Sequence, residues 1–225
     1  MNRFFNKSLV LVALVGAMAV FSTSQAEAAL TMQLRAYNSL NVLLATTPVI
    51  TDDGPGDSQA GFGTIVFVGS VGAWTINVDT GIGSPEFPDQ PHMDLNYSSK
   101  GTGAGVGDYI VIDFTDTTQM VGSPSLGMKI GGTNNGTSTA AYVLVNGLQT
   151  GALGPFAGSP FSASGSAAGS LATPYTLTQR VVITRTAGGT GNASGDFEVV
   201  PEPATLSLLG LGIVALGFAV RRRKV

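Results

Sequence analysis

The chain has 225 residues, 31 of them Gly and 11 Pro, with no Cys, one His, one Trp and a formal charge of −3. No disulfide framework, thiolate metal site or His-pair metal centre can be built from this inventory, and the acidic balance argues against nucleic acid as a partner. Glycine at about twice its usual share of ~7%, with no G-X-Y period, points to a turn-rich β protein.

Residues 1–28 have the pattern of a secretory signal helix. Arg3 and Lys7 supply the positive start, Leu9 to Phe21 the short apolar core, and Ala26-Glu27-Ala28 an A-x-A cleavage site, with Ser24-Gln25-Ala26 as an alternative. Delivery by the Sec export machinery is the expectation.

Residues 29–199 form the exported body, long enough for one substantial core. Strand-like runs fall at 31–36, 63–68, 73–79, 93–97, 108–115, 139–146, 175–186 and 196–199. Trp74, Ile76 and Val78 alternate with Thr75, Asn77 and Asp79, and Ile110, Ile112 and Phe114 with Val111 and Asp113, which puts one face of each strand on a core. Helical periodicity is nearly absent and no 20–50-residue repeat occurs, so the expected fold is all-β, an antiparallel β-sandwich. Stretches 101–107, 158–169 and 186–195 are rich in Gly and Ser and are expected to be turns, flexible crossings or a hairpin tip.

Few residues in this body suit chemistry. Ser58, in Gly56-Asp57-Ser58, and His92, in Asp89-x-x-His92, could serve as nucleophile and base of a secreted serine hydrolase. Asp52, Asp53 and Asp57 could offer oxygens to calcium, but their spacing departs from D-x-[DN]-x-[DN]-G and suits a turn equally well. Gly101 to Gly107 lacks the GK[ST] ending of a phosphate loop. Trp74, Tyr97, Tyr109 and Tyr142 could stack on sugars, although strand spacing favours a core role. No cofactor is implied.

The last 26 residues, 200–225, change character. Val200-Pro201-Glu202-Pro203 is expected to be an extended handle, because Pro fixes φ and pushes its predecessor out of the helical region. Ala204 to Val220 follow without a charge, enough for a single transmembrane helix of roughly 26 Å at about 1.5 Å per residue. Arg221, Arg222, Arg223 and Lys224 then form a basic anchor that the positive-inside rule keeps cytoplasmic.

Pro201-Glu202-Pro203, the apolar run and the basic cluster together resemble the PEP-CTERM sorting signal of Gram-negative bacteria. The resemblance implies recognition of Pro201, Glu202 and Pro203 by an exosortase, a membrane-embedded cysteine transpeptidase, and release or transfer toward the surface or extracellular matrix. Residues 69–78, with Met93-Asp94-Leu95-Asn96 and Ile112-Asp113-Phe114-Thr115-Asp116, are similar to the β-rich ectodomains that precede such tails. Gly56-Asp57-Ser58 with Asp89-x-x-His92 is reminiscent of SGNH hydrolases, but the following Leu is missing, the blocks lie close together, and that fold is α/β.

The expected protein is therefore an exported, non-enzymatic surface or extracellular-matrix protein, tethered to the inner membrane as a precursor and sorted through its tail, with an exopolysaccharide as a further candidate partner. A carbohydrate- or calcium-binding adhesion module and a Ser58/His92 hydrolase are the alternatives. Charge divides accordingly: residues 29–200 carry five cations against twelve carboxylates, while residues 1–28 and 201–225 are net positive.

Overall fold

The computed structural model describes residues 30–59, 61, 63–83, 92–119 and 122–202, and every regular element among them is a β-strand. In chain order these are β1 (Leu30–Tyr37), β2 (Leu43–Thr46), β3 (Ile50–Thr51), β4 (Thr64–Val71), β5 (Trp74–Ile82), β6 (Met93–Gly101), β7 (Tyr109–Gln119), β8 (Ser123–Asn135), β9 (Thr137–Val145), β10 (Leu148–Phe156), β11 (Phe161–Ser170), β12 (Tyr175–Arg185) and β13 (Gly191–Pro201). They build two antiparallel sheets. Sheet A runs β10-β9-β12-β7-β1-β2, with β3 also paired to β1, and sheet B runs β11-β8-β13-β6-β5-β4. The signal helix expected at 1–28 and the transmembrane helix expected at 204–220 lie outside the described residues.

Period-2 patterning decides which face of each strand turns inward. Leu30, Met32 and Leu34 of β1, Ile110, Ile112 and Phe114 of β7, and Val181 and Ile183 of β12 project from sheet A into the core. Trp74, Ile76 and Val78 of β5, Met93, Leu95 and Tyr97 of β6, and Phe197 and Val199 of β13 meet them from sheet B. Gln179 also lies in this core, wholly buried. Its Nε2 donates to the carbonyls of Met93 at 3.1 Å and Phe197 at 2.8 Å, tying β12 of one sheet to β6 and β13 of the other.

Turn chemistry sets the connections. Asn146 and Gly147 adopt φ of 51° and 77°, the two left-handed positions that a tight I′ hairpin requires between β9 and β10. Gly136, at φ 65°, is the single residue between β8 in sheet B and β9 in sheet A.

Five strands lie outside the eight expected runs. The segment 158–169, expected as a flexible crossing, contains most of β11, which pairs with β8 from Phe161↔Gly132 to Ser170↔Ser123. Ser, Ala and Gly have little intrinsic strand preference, so this pairing is imposed by the neighbouring strand and by burial of Phe161 and Ala167. Likewise 186–195, expected as a hairpin tip or linker, already enters β13 at Gly191.

Candidate functional site

The carboxylates weighed as calcium ligands are engaged by the backbone of their own loop. Gly63 N–H donates to Asp52 Oδ2 at 2.7 Å and Gly61 N–H to Asp53 Oδ1 at 3.0 Å. Asp57 Oδ1 accepts from the N–H groups of Gln59 at 3.1 Å and Val66 at 3.0 Å, and its Oδ2 accepts from Asp53 N–H at 3.2 Å. Burial raises the pKa of Asp52 above the usual carboxylate value, opposed by the Gly63 hydrogen bond. Among the described residues, no group of three or more His, Cys, Asp or Glu is placed to hold a metal ion.

Ser58 lies in the loop before β4 and His92 immediately before β6, both at sheet B. The Ser58 N–H donates to the Val66 carbonyl of β4 at 2.8 Å, whereas His92 Nε2 lies 3.5 Å from Glu198 Oε1 on β13. Strands β5 and β6 separate β4 from β13. Asp89 lies outside the described residues.

Glu198 belongs to an acidic row on the outer face of sheet B. Asp94 of β6 stands directly across from Glu198, and Asp196 is hydrogen-bonded to Asp94. Burial first, then the Asp196 hydrogen bond and the charges of Asp196 and Glu198, push the Asp94 carboxyl up to about 7. Farther along the same face a shallow cavity of about 320 Å³ is lined by hydroxyl and amide groups of Thr75, Asn77, Ser98, Thr133 and Ser194, with Lys100 at its side.

The four aromatics considered for sugar stacking divide between core and surface. Trp74 and Tyr97 are buried between the sheets, 1% and 2% exposed. Tyr109 and Tyr142 instead occupy half-buried positions on the outward phase of β7 and β9. Tyr37 joins them: its ring stacks on Tyr109 with centroids 5.0 Å apart and planes at 12°, and Tyr109 Oη donates to Asn41 Oδ1 at 3.0 Å.

Beside these rings lies a charged cluster. Arg180 of β12 donates from Nε to Asp113 Oδ1 at 2.6 Å and from Nη2 to Asp113 Oδ2 at 2.9 Å, and Arg35 Nη2 bonds the same Oδ2. Asp113 pairs in register with Gln33 on one side and Arg180 on the other, and Arg180 with Tyr142. The Asp113 hydrogen bond, partly opposed by burial, raises the Arg180 pKa. Residue-by-residue reading missed Arg35, Asp113, Arg180 and Tyr37 as a group. Each falls on the outward phase of its strand, but only strand order brings them together.

At the other end of β13 the chain approaches its tail. Val200 pairs with Gly127 and Pro201 with Leu126, and the Glu202 N–H donates to the Ser125 carbonyl at 3.2 Å. The segment expected as a free extended handle is thus extended, but its first residues are held against β8. Proline tolerates this place because the strand ends there. Residues 199–224 match the PEP-CTERM protein-sorting motif.

The chain carries a PEP-CTERM sorting signal. That signal implies an exosortase-processed protein whose precursor is exported and membrane-anchored. Its described part comprises Val199 to Glu202; Pro203 and Arg221 to Lys224 lie outside the described residues.

No curated protein matches the sequence. Among solved structures, the CBM36-1 domain of a multidomain xylanase from the hindgut metagenome of Trinervitermes trinervoides is similar at 16% identity and a TM-score of 0.27, over 43% of this chain and 77% of that one. A CBM36 carbohydrate-binding module in complex with calcium and xylotriose aligns at 12% identity and a TM-score of 0.26, over 45% and 78%. The PA14 sugar-binding domain from an RTX adhesin aligns at 9% identity and a TM-score of 0.28, over 76% and 90%. Likenesses of this order assign no ligand to the chain.

Proposed function

We propose that this is a non-enzymatic surface or extracellular-matrix protein, whose β-sandwich body is exported behind the 1–28 signal and displayed after an exosortase acts on its tail. Pro201, Glu202 and Pro203 carry recognition, 204–220 hold the precursor in the membrane, and Arg221, Arg222, Arg223 and Lys224 fix its orientation. The observation that carries the reading is the sorting motif at 199–224, which starts inside the last strand of the body. Recognition and display are thereby coupled: the enzyme must take up a chain whose first motif residues are still hydrogen-bonded to β8.

Support for a non-enzymatic body comes from the different anchorage of Ser58, beside edge strand β4, and of His92, beside Glu198 of β13. Replacing Pro201, Glu202 and Pro203 together with Ala in the native host tests the sorting role. The expected result is a longer, membrane-retained product by mass spectrometry and fractionation. A variant cut and localised like wild type overturns the reading.

A further inference from the structure

The outer face of sheet A is built differently from that of sheet B. Four cross-strand rows can be read from the register. Tyr37 and Tyr109 continue to Thr184; Arg35 and Val111 continue to Val182 and Ala140; Gln33 and Asp113 continue to Arg180 and Tyr142; Thr31 and Thr115 continue to Thr178 and Leu144. The second row is short-chained over β7, β12 and β9, and Val111 and Ala140 are 8% and 7% exposed. It forms the floor of a trough between the stacked tyrosines on one side and the Asp113, Arg180 and Tyr142 row on the other. At about 4.8 Å between strands the floor runs about 10 Å across β7, β12 and β9, and at about 3.4 Å per residue the two flanking rows stand about 14 Å apart.

Its walls have a definite chemistry. Two guanidiniums share one carboxylate, which leaves the face with a net positive charge. By contrast, the outer face of sheet B sets Asp79, Asp94, Asp196 and Glu198 against Lys100 and Lys129, and residues 29–200 as a whole carry five cations against twelve carboxylates. Arg180 and Arg35 are 34% and 28% exposed at the side chain, so both can be reached from solvent. Asp113, 12% exposed, holds both guanidiniums in place through Arg180 Nε and Nη2 and Arg35 Nη2, and leaves the Nη1 group of each fork outside these bonds. Positioned arginines with donors to spare recognise carboxylates, and tyrosine rings beside an apolar floor suit the flat C–H faces of a sugar.

We propose that this trough binds an acidic oligosaccharide, with the sugar carboxylate at Arg35 and Arg180 and ring faces against Tyr37, Tyr109 and Tyr142. Charge complementarity selects an anionic ligand on a body that otherwise repels one, and the aromatic walls select a carbohydrate over an acidic peptide. This site is independent of the sorting reading, because it lies on the folded body and needs neither the tail nor its processing.

The test uses the full chain purified in detergent, titrated calorimetrically with trigalacturonate, with neutral maltotriose and with hexaglutamate. Trigalacturonate is expected to bind about tenfold more tightly than either of the others, and more weakly as salt is raised. Tyr142→Ala and Arg35→Gln are each expected to lower that affinity by about fivefold or more. Lys100→Gln, on the opposite sheet, should leave it unchanged. Should a face variant fail to fold, the wild-type ranking of the three probes still decides the matter. Equal binding of maltotriose, tighter binding of hexaglutamate, absence of trigalacturonate binding, or loss of affinity in Lys100→Gln alone would each overturn the proposal.

Discussion

Arg180 contacts both carboxylate oxygens of Asp113, Nε to Oδ1 at 2.6 Å and Nη2 to Oδ2 at 2.9 Å, while Arg35 reaches the same group from the other side. One nearly buried carboxylate thus balances two half-buried cations. Removing the shared partner should therefore cost more than removing either arginine. Asp113→Ala is expected to destabilise the body by about 2 kcal/mol, below the range of about 3–5 kcal/mol for broken buried pairs because both guanidiniums can recover water. Arg35→Ala and Arg180→Ala should each cost about half as much. Urea unfolding of the three variants checks the order, and a cost for Asp113→Ala no greater than for Arg35→Ala would contradict it.

Asp94 offers the clearest dependence on pH. Its folded pKa is raised to about 7 from an ordinary 3.8, so the folded protein holds a proton that the unfolded chain has lost. Stability therefore falls as pH climbs from the unfolded pKa through the folded one, and levels off above it. Asp94→Asn removes the ionisable group and its repulsion with Asp196 and Glu198. Because Asp94 is only half-buried, solvent screening holds the gain to about 1 kcal/mol, or ~2–4 °C in melting temperature at pH 8. Near pH 4 variant and wild type should melt together. Parallel melting curves at pH 5 and pH 8 would show that the carboxyl titrates normally.

The sandwich core was legible because its strands alternate cleanly: Trp74, Ile76 and Val78 face inward where period 2 puts them, as do Ile110, Ile112 and Phe114. Strand β11 was not, since Ser, Ala and Gly declare no strand; only the register with β8 makes it one. The aromatic site was half legible. Tyr109 and Tyr142 could be picked out by type, but type alone groups them with Trp74 and Tyr97; the phase of β7, with Ile110 inward, is what turns Tyr109 outward. Arg35 and Arg180 stand 145 positions apart and become neighbours only through β7. The sorting tail, by contrast, is a linear signal, and its three parts stand in the sequence in the order in which they are read.

Gly132 marks a place where the sheet admits no side chain. A Cβ there would stand 2.1 Å from the Ser194 carbonyl oxygen and 2.8 Å from Gly195 Cα, both backbone atoms of the paired strand β13. Gly132→Ala must push β8 away from β13 and is expected to cost about 2–3 kcal/mol, the usual scale of overpacking. Gly188→Ala, where a Cβ meets nothing within 4 Å, is the control and should be near neutral. Thermal melts separate the two, and comparable losses in both would mean that backbone freedom rather than space sets the cost.

Arg185 closes β12 with its whole side chain buried, 1% exposed, and with backbone carbonyls in place of a carboxylate. Nη1 donates to the Gly136 carbonyl at 3.3 Å, and Nη2 bonds the carbonyls of Ala187 and Gly189, so one guanidinium gathers the crossing between β12 and β13 and the turn between β8 and β9. Two effects oppose each other in Arg185→Met. A buried cation is removed, which is favourable, and carbonyls lose their donor, which is not. The Gly136 carbonyl keeps its bond from the Thr186 N–H at 3.0 Å, and Ala187 and Gly189 are exposed, so water can replace what the guanidinium supplied. A net cost of about 1–2 kcal/mol is expected, together with faster amide exchange confined to residues 187–190. Unchanged exchange in that turn would show that Arg185 fills space there without fastening the two crossings together.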